Sequence, residues 1–167
     1  MMTEPTARPE VYDENIFKLL LDYEVVRSQR YANPLSVLRI GLALINPTHV
    51  EATNAPIALA STLNARLRRA DIPARVGNDF VVLLPNTNET NARIVCERLL
   101  RITVGTQRTS LGLTTRVTIC IGLASHGGGA NLNGERLMHE AESALKQARA
   151  VGPQTYRAYT DTALRRS

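Results

Sequence analysis

Residues 75–85 read Arg-Val-Gly-Asn-Asp-Phe-Val-Val-Leu-Leu-Pro, and this run constrains the fold more than any other part of the chain. It predicts a tight hairpin: a strand end at Arg75-Val76, a turn at Gly77, Asn78 and Asp79, and a second strand from Phe80 to Leu84. Gly, Asn and Asp tolerate the positive φ angles that short hairpin turns demand. Val81–Leu84 is apolar without a break, which suits a strand covered on both faces.

The remaining periodicities supply the covering layers. Ile16, Leu19, Leu20, Tyr23, Val26 and Arg30 fall at helical spacing between Asp13, a good N-cap, and the Asn33-Pro34 stop. Leu35–Leu44 predicts a strand, and Asn46-Pro47 a turn. Asn54 ahead of Pro56 predicts a helix start, with Ile57–Arg69 helical on Leu59, Leu63 and Leu67. After the hairpin, at about 74–84, a helix ending near Ile102 shows Ala92, Val95, Cys96, Leu99 and Ile102 on one face. Gly105–Thr114 reads as a loop, Arg116–Ser125 as a buried strand, and His126–Asn133 as a second loop. Gly134–Val151 predicts a helix on Leu137, Met138, Ala141, Leu145 and Ala148, closed by Gly152 and Pro153, before a short strand at Gln154–Tyr159. The order α-β-α-β-β-α-β-α-β predicts an α/β (α+β) fold with a ferredoxin-like sheet of about five strands flanked by helices.

A chain of 167 residues, 44% hydrophobic, suits one domain with a real core. Residues 1–10 read as a mobile tail, 11–160 as the domain and 161–167 as a basic tail. No apolar run approaches the roughly 20 residues that span a bilayer. The polar start, Met1–Glu10, is no signal peptide, so a cytoplasmic protein is expected. Cys96 and Cys120 each lie in an apolar-periodic segment and are expected to be buried thiols. His49, His126 and His139 are too scattered for a metal motif, and Gly127–Gly129 lacks the Lys-Ser/Thr of a phosphate loop. The net charge is +5, and 18 of the 20 basic residues are Arg. Arg suits phosphates and guanine edges, although solvated arginines of an Arg-rich chain are the better account of the bulk charge. Aromatic residues are few, so a nucleic-acid partner is not expected.

The hairpin resembles the signature of GGDEF domains, the diguanylate cyclase family, which reads Arg-x-Gly-Gly-(Asp/Glu)-Glu-Phe before an apolar strand ending Leu-Pro. Here it is reduced to Gly77-Asn78-Asp79-Phe80, one residue shorter and with one acid. The likeness runs from about Val11 to Tyr159. Pro34–Ile40 is similar to the first family strand, Arg116–Ala124 to the strand usually written Val-Thr-x-Ser-Ile-Gly-Val-Ala, and Ala141–Arg149 with Gly152 to the closing helix. The resemblance implies a palm-type, nucleotide-cyclase-like sheet. Family enzymes join two GTP molecules, one on each of two facing domains, using two acid-bound metal ions. Against that pattern, the first metal Asp aligns with Gly41, the next Asp with Ala43 and a phosphate-contacting Lys with Asn46. The opening Leu-Thr-Gly-Leu-x-Asn-Arg has become Val11–Asn15, and the closing Arg-Asn is Pro153-Gln154. The closing-helix Lys aligns with Arg149, which is expected to keep a phosphate contact. Asp79 alone does not supply the carboxylates that two Mg²⁺ ions need. The expectation is therefore a degenerate domain with no catalytic residue, no metal site and no Mg²⁺ cofactor.

Arg68-Arg69-Ala70-Asp71 is separated by three residues, Ile72-Pro73-Ala74, from Arg75, the signature Arg. In the family, an Arg-x-x-Asp pair in this register forms an inhibitory site for cyclic di-GMP, often with an Arg from the following helix; Arg98 falls at about that place. Arg can donate two hydrogen bonds to guanine, and a carboxylate can accept from its N1 and N2. The competing reading makes Arg68 and Arg69 helix-end charges and Asp71 a turn cap or a partner of Arg75. The resemblance implies an inactive signalling module that binds cyclic di-GMP through Arg68, Asp71 and Arg98 and acts as a homodimer or through a protein partner. The alternatives are a nucleotide-independent interaction scaffold, and weak GTP binding or residual cyclase activity at Asp79 and Arg149.

Overall fold

Leu35–Leu42 forms β1, and its apolar run takes the centre of a five-stranded sheet. The computed structural model describes residues 11–44, 46–103, 106–108 and 114–164. The expected tail at residues 1–10 lies outside them. The elements run α1 (Glu14–Tyr31), β1, α2 (His49–Arg66), β2 (Ile72–Val76), β3 (Asp79–Pro85), α3 (Glu89–Thr103), β4 (Thr106–Arg108), β5 (Thr114–Arg116), β6 (Ile119–His126), α4 (Gly134–Val151), β7 (Thr155–Ala158) and α5 (Tyr159–Leu164). The main sheet has the order β2-β3-β1-β6-β7, antiparallel except for the β6–β7 pair. It is the expected α+β, palm-type arrangement.

Helices cover both faces, as the Val81–Leu84 run requires. Leu38, Ile40, Phe80 and Val82 meet Leu59 and Leu63 of α2 and Cys96 and Leu99 of α3. On the other face, Val37, Val81 and Ala124 meet Phe17 and Leu21 of α1 and Leu137 and Ala141 of α4. Cys96 and Cys120 are both buried thiols, and burial raises both pKa values. No helix among the described residues is long and apolar enough to cross a membrane.

Five local expectations are corrected. Asp79 is not a turn residue: it pairs with Val76 as the first residue of β3, leaving a two-residue turn, Gly77-Asn78. Gly77 has φ +61° and Asn78 is not among the positive-φ residues, the pattern of a type II′ turn. α1 exists as predicted, with Asp13 accepting from the Ile16 N–H at 2.8 Å, but it buries Phe17, Leu21, Glu24 and Ser28. The stripe through Ile16, Leu19, Tyr23 and Val26 faces outward. Two polar residues on the buried face made the outer stripe the stronger apolar signal. α2 starts eight residues ahead of Ile57, because Thr48 and Glu51 form a capping box and the helix runs through Pro56. The loop expected over 105–114 holds β4 and the start of β5, which pair antiparallel as a separate two-stranded sheet. The tail expected from residue 161 begins inside α5.

Asp161 fastens α5. It accepts from the Ala158 N–H at 3.1 Å and from Arg93 Nη2 at 2.8 Å and Nη1 at 3.2 Å. The Arg93 hydrogen bond holds its carboxyl below the ordinary value of 3.8. With a depressed folded-state value, the stabilisation is complete above about pH 3.8 and fades as pH falls through the lower folded-state value. The pair is about one-third exposed, so the effect is under about 1 kcal/mol. Thermal melts at pH 7 and pH 3 should show a smaller acid loss for Asp161→Asn than for the parent; equal losses would assign the acid sensitivity elsewhere.

Candidate functional site

Two clusters gather the residues that the sequence singles out. The first lies where the hairpin meets β1 and α4. The register that pairs Ile40 with Phe80 brings Gly41 level with Asp79. Asp79 Oδ2 accepts from Arg39 Nε at 2.9 Å, and Oδ1 accepts from Arg149 Nη2 at 3.2 Å. Arg39 and Asp79 are each 16% exposed at the side chain, so this is a half-sheltered carboxylate shared by two guanidinium groups. Arg39 is the one charged residue in the apolar run 35–44, and that oddity is the sequence signal for it.

Arg149 lies across Gly41. A Cβ built there would clash with Nη2 and sit 2.9 Å from Cζ, so the guanidinium fills the space that a side chain at 41 would occupy. The donor set does not fit a divalent cation. Gly41 and Ala43 offer no side-chain oxygen, both Asp79 oxygens are engaged by cations, and two Arg with one Asp leave the cluster net positive. Among the described residues, no group of three or more His, Cys, Asp or Glu side chains is placed to hold a metal. Arg39 also borders a cleft of about 630 Å³ between α1 and α4. Lys18 and His139 line it beside Asp22, Glu135 and Glu142, a mixed-charge wall poorly matched to a triphosphate.

The second cluster is the turn between α2 and β2. α2 ends at Arg66, with Leu67 as C-cap, so Arg68 and Arg69 stand beyond the helix. Asp71 folds back over the turn: Oδ2 accepts the Arg68 backbone N–H at 2.9 Å, and Oδ1 accepts Arg68 Nη2 at 2.9 Å. Arg68 Nη2 also donates to Thr87 Oγ1 at 2.8 Å, a partner that no spacing rule marks. Arg75 is not the partner of this pair; its guanidinium packs over the Phe80 ring at 4.9 Å. The Arg68 side chain is 52% exposed whereas that of Asp71 is 0% exposed. Asp71 therefore offers a ligand no exposed oxygen, unlike the guanine-accepting carboxylate the sequence suggested. It caps the turn and braces Arg68.

Arg98 reaches the same turn from α3. Its Nη2 donates to the Arg66 carbonyl at 3.3 Å, and its buried Nε has no hydrogen-bond partner. Arg68, Asp71 and Arg98 are thus brought to one end of α2, while Asp79 and Arg149 belong to the hairpin cluster.

The fold is similar to the GGDEF domain of YfiN (TpbB) from Pseudomonas aeruginosa, at 22% identity and a TM-score of 0.77, covering 90% of this chain and 98% of that one. It is similar to the diguanylate cyclase SiaD from the same organism, solved in complex with its activator SiaC, at 22% identity and a TM-score of 0.77, covering 90% of this chain and 60% of that one. It is also similar to the GGDEF domain of DgcB from Caulobacter crescentus, solved in complex with c-di-GMP, at 14% identity and a TM-score of 0.71, covering 95% and 98%. Likeness at such identities carries the fold alone. No curated protein sequence matches the chain. The family model described as diguanylate cyclase, GGDEF domain, matches residues 11–155, and the chain belongs to that family.

Proposed function

We propose that this domain has given up cyclase chemistry and serves as a cyclic di-GMP receptor at the turn after α2. The observation that carries the reading is the braced Arg68. Its guanidinium is fixed by Asp71 through Nε and Nη2 and by Thr87 through Nη2, leaving Nη1 directed to no protein partner among the described residues. A preorganised, half-exposed guanidinium is a good donor to guanine O6 or to a phosphate oxygen. Arg98 supplies a second cation at the same end of α2. A relative of the same fold, DgcB, was solved with this ligand. The loss of cyclase chemistry rests on Arg149 standing over Gly41 and on the single, doubly paired acid.

Calorimetric titration with cyclic di-GMP, with GTP as the control, tests both halves. Binding in the micromolar range or tighter is expected. Arg68→Lys should weaken it by about tenfold or more, because an ammonium loses the fork while keeping the charge. Arg68→Ala is a poorer probe, since it also strips the buried Asp71 of a charged partner, at about 1–3 kcal/mol of stability. Incubation with GTP and Mg²⁺ or Mn²⁺ should release no pyrophosphate; release would overturn the inactive reading. Absence of binding heat with cyclic di-GMP would leave the second reading, a nucleotide-independent interaction scaffold, which the exposed apolar face of α1 favours.

A further inference from the structure

We propose that the cleft between α1 and α4 is a second binding site, and that its ligand is a dibasic amino acid, held by its carboxylate on Arg39 and by its cationic groups on the acids of the rim. The cleft has a volume of about 630 Å³, within the range of small-molecule sites. It shares no residue with the turn after α2, so it stands whether or not that turn takes a nucleotide.

Arg39 fixes one end of the ligand. It stands on β1, the central strand, and lines the cleft. Its Nε donates to Asp79 Oδ2 at 2.9 Å, whereas Nη1 and Nη2 have no protein acceptor among the described residues. The side chain is only 16% exposed, so these donors are sheltered from bulk water. A sheltered guanidinium gains most from an acceptor that it does not yet have. Its two outer nitrogens match the two oxygens of a carboxylate as parallel, charge-assisted hydrogen bonds. Lys18 also lines the cleft, but its Nζ lies 3.4 Å from Glu14, which shares its charge.

The walls and the rim set the rest of the ligand. Leu21 and Val25 lie one turn apart on α1, and Met138 lines the cleft from α4, so methylene groups have apolar surface on both sides. Asp22, Glu135 and Glu142 are exposed, line the same cleft and hold no ion pair among the described residues. Glu135 and Glu142 are two turns apart on one side of α4, about 10 Å along the helix. The positive charge of Arg39 is already offset by Asp79, so the rim acids leave the cleft net negative. That field repels phosphates and dicarboxylates and favours cationic groups. One carboxylate, a methylene chain and two cationic groups, the make-up of free lysine or arginine, meet the floor, the walls and the rim together. A diamine would leave Arg39 unmet, and a simple carboxylic acid would leave the rim acids unmet.

Calorimetric titration of the full chain with L-lysine and L-arginine tests the proposal. One of the two should bind with a dissociation constant below about 1 mM. Cadaverine, which is lysine without its carboxylate, should bind about tenfold or more weakly, because the charge-assisted bonds to Arg39 are lost. Asp22→Asn and Glu142→Gln should each weaken lysine or arginine by roughly two- to fivefold, the worth of an exposed ion pair, without changing the melting temperature. Arg39→Lys should weaken binding by about tenfold, since an ammonium lacks the fork. That variant also disturbs the pair with Asp79, so Met138→Trp serves beside it: a half-buried residue enlarged into the cleft should abolish binding and leave Arg39 and Asp79 in place. Absence of binding by both amino acids overturns the proposal. Cadaverine binding as tightly as lysine overturns the role of Arg39, and binding that survives Met138→Trp together with Asp22→Asn and Glu142→Gln overturns the cleft as the site.

Discussion

Gly122→Ala is expected to cost about 3 kcal/mol, the upper end of ordinary overpacking, and to lower the melting temperature by roughly 10 °C. Gly122 lies in β6 on the face that carries α4. A Cβ there would clash with the Ala141 carbonyl oxygen and the Leu145 N–H nitrogen and stand 2.8 Å from Leu145 Cα. All three are helix backbone atoms, so relief requires α4 to move off the sheet, opening the contacts of Ala141, Leu145 and Ala148. Gly41→Ala provides the control. The space at Gly41 is equally tight, but the obstructing atoms are the end of the Arg149 side chain, which can swing aside. The expected cost at Gly41 is below about 1 kcal/mol, that of one surface ion pair. Thermal and denaturant melts of the two variants check this, and similar losses would show that contact distance matters more than the kind of atom displaced.

The sequence carried the fold wherever one local rule dominated. Gly134–Val151 became α4 over the expected residues, since Asn133 caps it, Gly152 closes it and its core stripe is unmixed. The Val81–Leu84 run became the buried β3 for a similar reason. Reading failed where two signals competed. In α1 the exposed stripe is more apolar than the buried one, which contains Glu24 and Ser28, so periodicity chose the wrong face. In α2 a Pro at an interior position resembled a helix start, and the Thr48–Glu51 capping box that opens the helix was the weaker-looking signal. The candidate sites were legible as residue types but not as partnerships. Asp79 and Arg149 are 70 positions apart, and Arg39 joins them through the strand register. The burial of Asp71 depends on how the chain turns back after α2, and no spacing in Arg-x-x-Asp states whether the carboxylate faces the solvent or the protein.

Asp79→Asn should destabilise the domain by about 2 kcal/mol, and the sign of that change separates two kinds of site. In a cluster of acids built for cations, neutralising one acid without metal present relieves repulsion and raises stability. Here the acid is outnumbered: its oxygens receive Arg39 Nε and Arg149 Nη2, so an amide leaves two guanidinium groups facing each other with no anion between them. Arg39 dominates the loss because it is sheltered, whereas Arg149 is 45% exposed and can turn to water. Millimolar Mg²⁺ should leave the melting temperature of the parent unchanged, because a cation that finds no site adds no binding free energy to the folded state. Melts of parent and variant, each with and without Mg²⁺, decide the matter. A rise in stability on Asp79→Asn, or a Mg²⁺-dependent rise in the parent that the variant loses, would make Asp79 a cation ligand and reopen metal chemistry at the hairpin. A loss on substitution with no response to Mg²⁺ makes the signature acid the counter-ion of two arginines, a role for which a single carboxylate is enough.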